Sequence, residues 1–385
     1  MLTLVKKIGS RLRDHGLGYF VLLARTEISY PRFRATQSLR NGLIRIGQAL
    51  PKRGSGNGAW SENCLQFVYD LSVSPITFDF ASYLAAAEVE RRLRGFDGID
   101  VLLVMGPQQG VREEAPDYEA AVNKDARQWR IRHMLLPMLG FLATVRGVAL
   151  CATREQARAL ISADPRRIYP SDYRVFLPRL PDKWVIHEHA RRGVPIWPMF
   201  RATEHGRRLV REFLEREAKG RKPIVITLRN YPYTPQRNSR NEDWLAFADS
   251  LDATRYAAIF VHDAETVMQP PPADFSRHIV FDAASVNLEI RMALFEAAWL
   301  NMALMAGPTE LCWYNERVRY LLFIAVGSAA VQTEAALVRN GHRVGSDLDF
   351  AKPYQRIVWQ VDEFDTLRRE FLAMEAFLNK QDACR

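Results

Sequence analysis

Ile224-Val225-Ile226-Thr227-Leu228 is an apolar run that empties into Arg229-Asn230-Tyr231-Pro232-Tyr233-Thr234-Pro235-Gln236-Arg237-Asn238-Ser239-Arg240-Asn241. The run has the length and residue types of a buried strand. The loop after it gathers guanidinium forks and side-chain amides at that strand's carboxyl end, where a phosphate-bearing ligand finds its donors. Tyr231, Pro232, Tyr233 and Pro235 stiffen the loop and offer aromatic faces. A helical pattern from Trp244 to Leu251 follows, then a second apolar strand, Ala257-Ala258-Ile259-Phe260-Val261, ending in His262-Asp263-Ala264-Glu265. Strand, polar loop, helix and strand make the βαβ unit of an open α/β sheet. A solvated connector rich in Arg is the plainer alternative, because Arg and Asn are ordinary loop residues.

The same order appears earlier in the chain. Cys64 to Leu71 reads as a strand, Phe78 to Leu93 as a helix and Val101 to Met105 as a strand. That strand ends in Gly106-Pro107-Gln108-Gln109-Gly110, followed by Glu113, Glu114 and Asp117. The three-glycine dinucleotide pattern is missing, so no nicotinamide cofactor is expected. Further helices are expected over Ala126 to Leu142, Arg154 to Ile161 and Glu204 to Ala218, with a strand at Gly147 to Cys151. Val185, Ile186 and Pro195 to Pro198 read as a looser stretch. Lys219-Gly220-Arg221-Lys222-Pro223 then marks a junction, since the βαβ order restarts directly after it.

At 385 residues the chain exceeds the size at which one core stops growing, so two domains are expected. With 48% hydrophobic and 25% charged residues it has the composition of a folded globular protein. Cys64, Cys151, Cys312 and Cys384 are widely spaced, which suggests neither a disulfide framework nor a zinc site and fits a reducing cytoplasm. His187 and His189 would share a face on a strand, but no third metal ligand stands near them. No metal site and no cofactor are expected.

Charge is concentrated at one end. Residues 1 to 53 hold eleven Lys or Arg against Asp14 and Glu27, a surplus of nine that equals the whole-chain charge of +9. Leu2, Leu4, Val5, Ile8, Leu12, Leu17, Tyr19, Phe20, Leu22 and Leu23 recur there at helical spacing, in runs too short to span a bilayer. A basic amphipathic arm of this kind lies either in the headgroup layer of an anionic inner leaflet or packed on the first domain. Nucleic acid is not expected as a partner, because no binding-module pattern accompanies the charge. Pro51 to Gly58 has the composition of a linker.

In the second half, Ile279-Val280-Phe281-Asp282 reads as a strand, Asn287 to Ala298 as a helix and Met302 to Met305 as a strand, with Gly307-Pro308-Thr309-Glu310-Leu311 directly behind. This Ala-rich helix, short strand and Gly-Pro-x-x-Leu turn resemble the donor-binding end of two-domain glycosyltransferases of the GT-B architecture, particularly the heptosyltransferase-like group. In that group the Gly-Pro turn and the helix amides after it receive the donor diphosphate, and a glycine and a helix amino terminus suit that task. The chain departs from the group's pattern at Ala306, where a small polar or acidic residue is common, and at Glu310, where His is usual. The segment Tyr354 to Asp362 and the helix from Phe364 to about Asn379 resemble the closing element of such enzymes and the ends of bacterial envelope-polysaccharide proteins.

The resemblance implies an α/β fold of two Rossmann-like domains facing a cleft. Residues 1–58 would form the basic arm and linker, 59–218 the acceptor domain, 219–350 the donor domain and 351–385 the closing helix. It implies a cytoplasmic transferase, peripheral on the inner membrane if the arm binds lipid, that moves a sugar from a nucleoside-diphosphate sugar to a glycan or lipid-linked acceptor. Arg229 and Arg237 would stabilise the leaving diphosphate. Asn230, Asn238, Arg240, Asn241, His262, Asp263, Gly307, Pro308, Thr309 and Glu310 would hold the donor, and Gly106, Gln108 and Asp117 would lie on the acceptor side. Asp117, Glu113, Glu114 and Asp79 are candidates by position for the general base. A sugar-nucleotide epimerase of the same fold is one alternative, and a non-catalytic membrane-surface binding protein another.

Overall fold

The computed structural model describes residues 21, 24–49, 60–269 and 273–383. Most of the amphipathic run from Leu2 to Leu23 and the linker Pro51 to Gly58 therefore lie outside the described residues. The chain divides into two compact units. The first comprises residues 1–76, 87–127 and 144–182, and the second comprises 77–86, 128–143 and 183–385. The long helix Phe80–Leu93 thus gives its opening turns to the second unit and the rest to the first.

The first unit is built on four parallel strands, β1 (Cys64–Asp70), β2 (Gly98–Val104), β3 (Val145–Cys151) and β4 (Ile168–Tyr169), in the order β3-β2-β1-β4. Every residue of β1 and β2 is buried, as expected of strands covered on both faces, and β3 alternates as an edge strand does. Val68, Leu102, Val104, Cys151, Ile168 and Tyr173 form a core with Ala157 of the helix Arg154–Leu160. That helix starts in a capping box, with Thr153 accepting from the Gln156 amide.

The second unit carries six parallel strands, β5 (Lys222–Thr227), β6 (Tyr256–Val261), β7 (Ile279–Val280), β8 (Leu300–Leu304), β9 (Tyr320–Phe323) and β10 (Gln355–Val358), in the order β10-β9-β8-β5-β6-β7. The chain winds outward from β5 to β7, returns to the other side of β5 and winds outward again to β10. This is the doubly wound Rossmann order, with its reversal between β5 and β8. The first unit's order is the same pattern cut short, with its reversal between β1 and β4. Each sheet is thus Rossmann-like, as the resemblance implied. Helix Glu204–Glu217 packs on Leu288–Ala297, and helix Asn241–Asp249 packs on the final helix Phe364–Ala383. Beneath the second pair, Trp244, Phe247, Phe371 and Met374 close over Ile224, Ile226, Phe260, Met302 and Phe323.

Three expectations about local structure need correction. Val185–Arg191 is a helix, not a looser stretch, so His187 and His189 do not share the face of a strand. His187 instead turns inward, with Nδ1 2.8 Å from Asp349. The helix expected over Ala126 to Leu142 is interrupted by a π-helical turn at Ile131–Leu135, where Pro137 in the next turn cannot supply an amide. β4 and β9 were not anticipated. Two residues carry too little pattern to read, and Tyr320–Phe323 is a four-residue run that periodicity cannot assign.

The described part of the basic arm is tied to the first unit by Arg40. Its guanidinium donates to Asp172 Oδ2 and to the carbonyls of Ile28, Asp172, Leu177 and Pro178, each at 3.0 Å. Among the described residues no helix is long and apolar enough to cross a membrane. Replacing Arg40 by Met should strand four carbonyls and a carboxylate, a loss of roughly 3 kcal/mol or more by analogy with broken buried ion pairs. Limited proteolysis should then cut within residues 24–49 while cleavage of the second unit stays at the parent rate.

Candidate functional site

The reversal beside β5 leaves the carboxyl ends of β5 and β8 adjacent, and the loops leaving them define the first locus. The loop after β5 closes on itself through two 2.9 Å bonds, Arg229 N to Ser239 Oγ and Ser239 N to the Arg229 carbonyl. Inside it the Arg229 guanidinium donates to the Tyr233 carbonyl at 2.7 Å, to the Thr234 carbonyl and hydroxyl at 3.2 Å, and to Asn238 Oδ1. Asn238 Oδ1 also accepts from the Tyr231 amide. Arg229 and Asn238 therefore hold the loop's shape, including Thr234 at a positive φ of 55°.

Arg237 has a different setting. It donates to the Met305 carbonyl at 3.2 Å, so it crosses from the β5 loop to the β8 loop at the point of reversal. Its Nε is buried without a partner. Burial, then the neighbouring Arg229 charge, lowers its pKa to about 10. Among the described residues no carboxylate forms an ion pair with Arg229 or Arg237, which leaves a desolvated positive site open to an anion.

The other expected donor residues take several roles. The Asn230 backbone N–H donates to Asp263 Oδ2 at 3.3 Å, while His262 Nδ1 lies 3.0 Å from Asp282 and its Nε2 is buried and unpartnered. Burial raises the Asp263 carboxyl above its ordinary range against the hydrogen bonds and Arg charges that lower it. Arg240 faces outward and pairs with Asp243, and its amide donates to Asp362, which also takes the Trp244 indole at 2.7 Å. Asn241 keeps a buried, unpartnered Oδ1. Gly307-Pro308-Thr309 forms a single turn before the four-residue helix Glu310–Trp313, too short to carry a sizeable dipole. The Thr309 hydroxyl bonds back to the Ala306 carbonyl at 2.7 Å. A Cβ on Gly307 would meet the Phe78 ring at 2.9 Å. Gly307 is thus required by packing against Phe78, so Gly307→Val should lower the melting temperature.

A second locus lies in the same unit, where Phe78 leads into Asp79 at the start of the long helix. Lys183 Nζ binds Asp79 Oδ1, and the Thr77 hydroxyl donates to Asp79 Oδ2 at 2.6 Å. Ser82, one turn on, donates to Glu310 Oε2 at 2.6 Å and accepts from the Tyr314 hydroxyl at 2.8 Å. Burial pushes the Glu310 carboxyl up to about 8, with the Asp79 charge adding to it and Lys183 opposing. Burial also raises Asp79, but the Lys183 charge and the bonds from Lys183, Thr77 and Glu310 outweigh it and hold Asp79 ionised. One carboxyl holds its proton and its neighbour stays charged, the pattern by which paired carboxyls divide acid and base roles. Sequence position alone had put Asp79 beside three other acidic candidates. Lys183, Ser82 and Tyr314 were missed because nothing local marks them, their partners lying 104, 228 and 232 positions away.

In the first unit Asp70 is buried at the end of β1, held by Arg154, by the Tyr173 hydroxyl at 2.7 Å and by Ser72 Oγ at 2.6 Å. Beside it lies a cavity of about 420 Å³, where Arg112, Arg154 and Arg158 meet Val73, Val175 and Phe176. A larger hollow of about 720 Å³ borders the opposite ends of β1, β2 and β4, away from the carboxyl ends where open sheets bind ligands. Gly106 starts the turn after β2, and Gln108 and Gln109 both take positive φ. Glu113 pairs with Arg25 and Glu114 with Arg112, while Asp117 is exposed on the helix Pro116–Ala121.

No family model and no curated protein matches the chain. Solved structures similar to it include a glycosyl transferase family 9 protein from Veillonella parvula DSM 2008. It is 11% identical with a TM-score of 0.43, covering 83% of this chain and 100% of that one. The E. coli ADP-heptose LPS heptosyltransferase II is 8% identical with a TM-score of 0.38, over 83% and 99%. E. coli heptosyltransferase WaaC with ADP is 11% identical with a TM-score of 0.31, over 72% and 96%.

The carboxyl pair gives a pH signature. Folded Glu310 holds its proton more tightly than an unfolded glutamate, so it favours folding at acid pH and this contribution is lost as pH rises toward 8. Asp79 acts in the opposite sense, its contribution being lost only as pH falls through the acid range toward 2. Between about pH 5 and pH 8 the pair should therefore lower the melting temperature as pH rises. Glu310→Gln, a neutral isostere of the protonated form, should flatten that slope in thermal unfolding measured across the range.

Proposed function

We propose that the chain is a glycosyltransferase that moves a sugar from a nucleoside-diphosphate donor to a hydroxyl of a cell-envelope glycan or a lipid-linked acceptor. The observation that carries this reading is Arg237, a half-buried guanidinium whose Nε is buried and unpartnered, with no carboxylate partner among the described residues, placed where the strand order reverses. A diphosphate supplies the missing charge, and the crevice outside such a reversal is where open α/β sheets take nucleotides. Gly307 to Thr309 lies on the β8 side of that crevice, and Asn230, Asn241, His262 and Asp263 contribute polar atoms from the loops after β5 and β6.

In the proposed reaction an acceptor hydroxyl attacks the anomeric carbon and the bond to the donor phosphate breaks. Asp79 takes the hydroxyl proton as the new glycosidic bond forms. Lys183 holds the Asp79 carboxylate in place, and Glu310, kept protonated, steadies it through a hydrogen bond. The leaving nucleoside diphosphate gains charge as the bond opens, and Arg237 stabilises that charge. Arg229 acts indirectly, by folding the loop that presents Arg237. The second unit takes the donor domain's role.

Incubation with a panel of nucleoside-diphosphate sugars and envelope-glycan acceptors, read by nucleoside diphosphate release, tests the activity. Arg237→Ala should reduce turnover per folded molecule on the order of a hundredfold to a thousandfold, and more than it weakens donor binding. Arg237→Lys should restore only part, because an ammonium cannot reproduce a fork against two oxygens. Arg229→Ala should act mainly through a lower melting temperature. Full turnover in folded Arg237→Ala would sink the assignment, as would full turnover in Asp79→Asn for the proton acceptor.

A further inference from the structure

The helix Arg34–Ala49 has two faces that contain apolar side chains, and only one of them is covered. On the inner face, Arg40 is enclosed by the carbonyls and carboxylate described above, and Ile44, one turn on, is 8% exposed. The other face points away. Leu39 is 58% exposed, Leu43 39% and Ile46 66%, at the i, i+4 and i+7 spacing of a single stripe, and Phe33 just before the helix is 66% exposed. Because Arg40 sets the helix's rotation against the first unit, the stripe cannot turn inward without abandoning five hydrogen bonds. Three large apolar side chains in one exposed row call for a partner.

The charge around the stripe indicates which partner. The helix carries no acidic residue, and between Glu27 and Glu62 the sequence contains neither Asp nor Glu. Glu27 itself is engaged, accepting from the Arg32 amide at 2.7 Å, from the Phe33 amide at 3.2 Å and from the Thr36 hydroxyl at 2.7 Å. Arg34 and Arg45 are exposed with no carboxylate on their helix, and Arg32, exposed just before it, lies beside the engaged Glu27. A second copy of this helix would bring like charge against like charge, and a nucleic acid would leave the apolar row in water. An anionic bilayer satisfies both features, since its headgroups neutralise guanidinium groups while its acyl boundary accepts Leu, Ile and Phe side chains.

We propose that the outer face of Arg34–Ala49, through Phe33, Leu39, Leu43 and Ile46 with Arg32, Arg34 and Arg45, docks the protein on an anionic lipid surface. The helix lies in the headgroup plane and Arg40 fixes it to the body behind. It uses none of the residues assigned to the transferase reading, so it stands or falls independently of that reading.

Flotation of the full chain with phosphatidylcholine vesicles, and with vesicles containing about one-third phosphatidylglycerol, tests the proposal. Binding is expected to the anionic vesicles at low salt, with release as salt screens the charges. Leu43→Glu combined with Ile46→Glu should weaken that binding on the order of a hundredfold, from the two lost apolar side chains. Both positions are exposed, so circular dichroism and the melting temperature should not change. Arg34→Gln combined with Arg45→Gln should weaken it about tenfold, at most about 1 kcal/mol for each charge. Undiminished binding by the Leu43/Ile46 variant overturns the assignment of this face. Equal binding to neutral vesicles, or no binding to either, overturns the lipid surface as partner. A dimer of the parent protein that the Leu43/Ile46 substitutions dissolve, without vesicle binding, makes the stripe a self-association face instead.

Discussion

The reversal of winding beside β5 is the constraint from which the candidate chemistry of the second unit follows. In a parallel sheet every connection must cross back over a face, and a chain that winds first to one side of its central strand and then to the other leaves a gap where the two directions part. Here the gap falls between the carboxyl ends of β5 and β8. The two loops that border it are joined by the bond from Arg237 to the Met305 carbonyl. Elsewhere in this sheet consecutive crossovers proceed in one direction, so no other pair of neighbouring strands is set up in this way.

Buried charge distinguishes the residues that hold the structure from those left with capacity for a ligand. Asp70, Arg40 and Glu296 are buried and well supplied with partners within the protein. Arg154, Tyr173 and Ser72 surround Asp70, carbonyls and Asp172 surround Arg40, and Arg207, Asn315 and the Ala202 amide surround Glu296. Arg237 is half-buried, with a buried Nε, but lacks such a set, and desolvation and the Arg229 charge lower its pKa. An uncompensated buried cation costs stability unless something outside the chain compensates it. Asp79, Glu310 and Lys183 form an intermediate case. Their charges balance only while one carboxyl keeps its proton, which ties the site's electrostatics to pH.

The two arginines of the β5 loop, equivalent by residue type, are separated in role by geometry alone. Arg229 faces the loop's own carbonyls and becomes part of its framework, whereas Arg237, eight residues on, faces the neighbouring strand end. Gly307 shows a similar shift. A glycine in a Gly-Pro turn is readily taken as making room for a ligand, yet the nearest group to its absent Cβ is the ring of Phe78, one residue before Asp79. Close packing at that point connects the Gly-Pro turn to the carboxyl pair.

The sequence by itself determined the α/β class, the repeated βαβ order and the positions of the strongest strands, because uninterrupted apolar runs such as Phe67 to Tyr69 and Ile224 to Ile226 have few alternatives to burial in a parallel sheet. It also located the Arg-rich loop and the Gly-Pro turn, since strand ends and glycine turns are local signals, and the basic character of the arm, since charge is counted directly. Tertiary structure alone decided the strand order, the helical state of Val185–Arg191, the short strands β4 and β9, and the assembly of Asp79, Ser82, Lys183, Glu310 and Tyr314. Those features depend on contacts between residues up to 232 positions apart, about which local propensity carries no information. The division of labour between Arg229 and Arg237 belongs to the same class. Both are arginines in one loop, and what each donates to is set by where the fold places the acceptors.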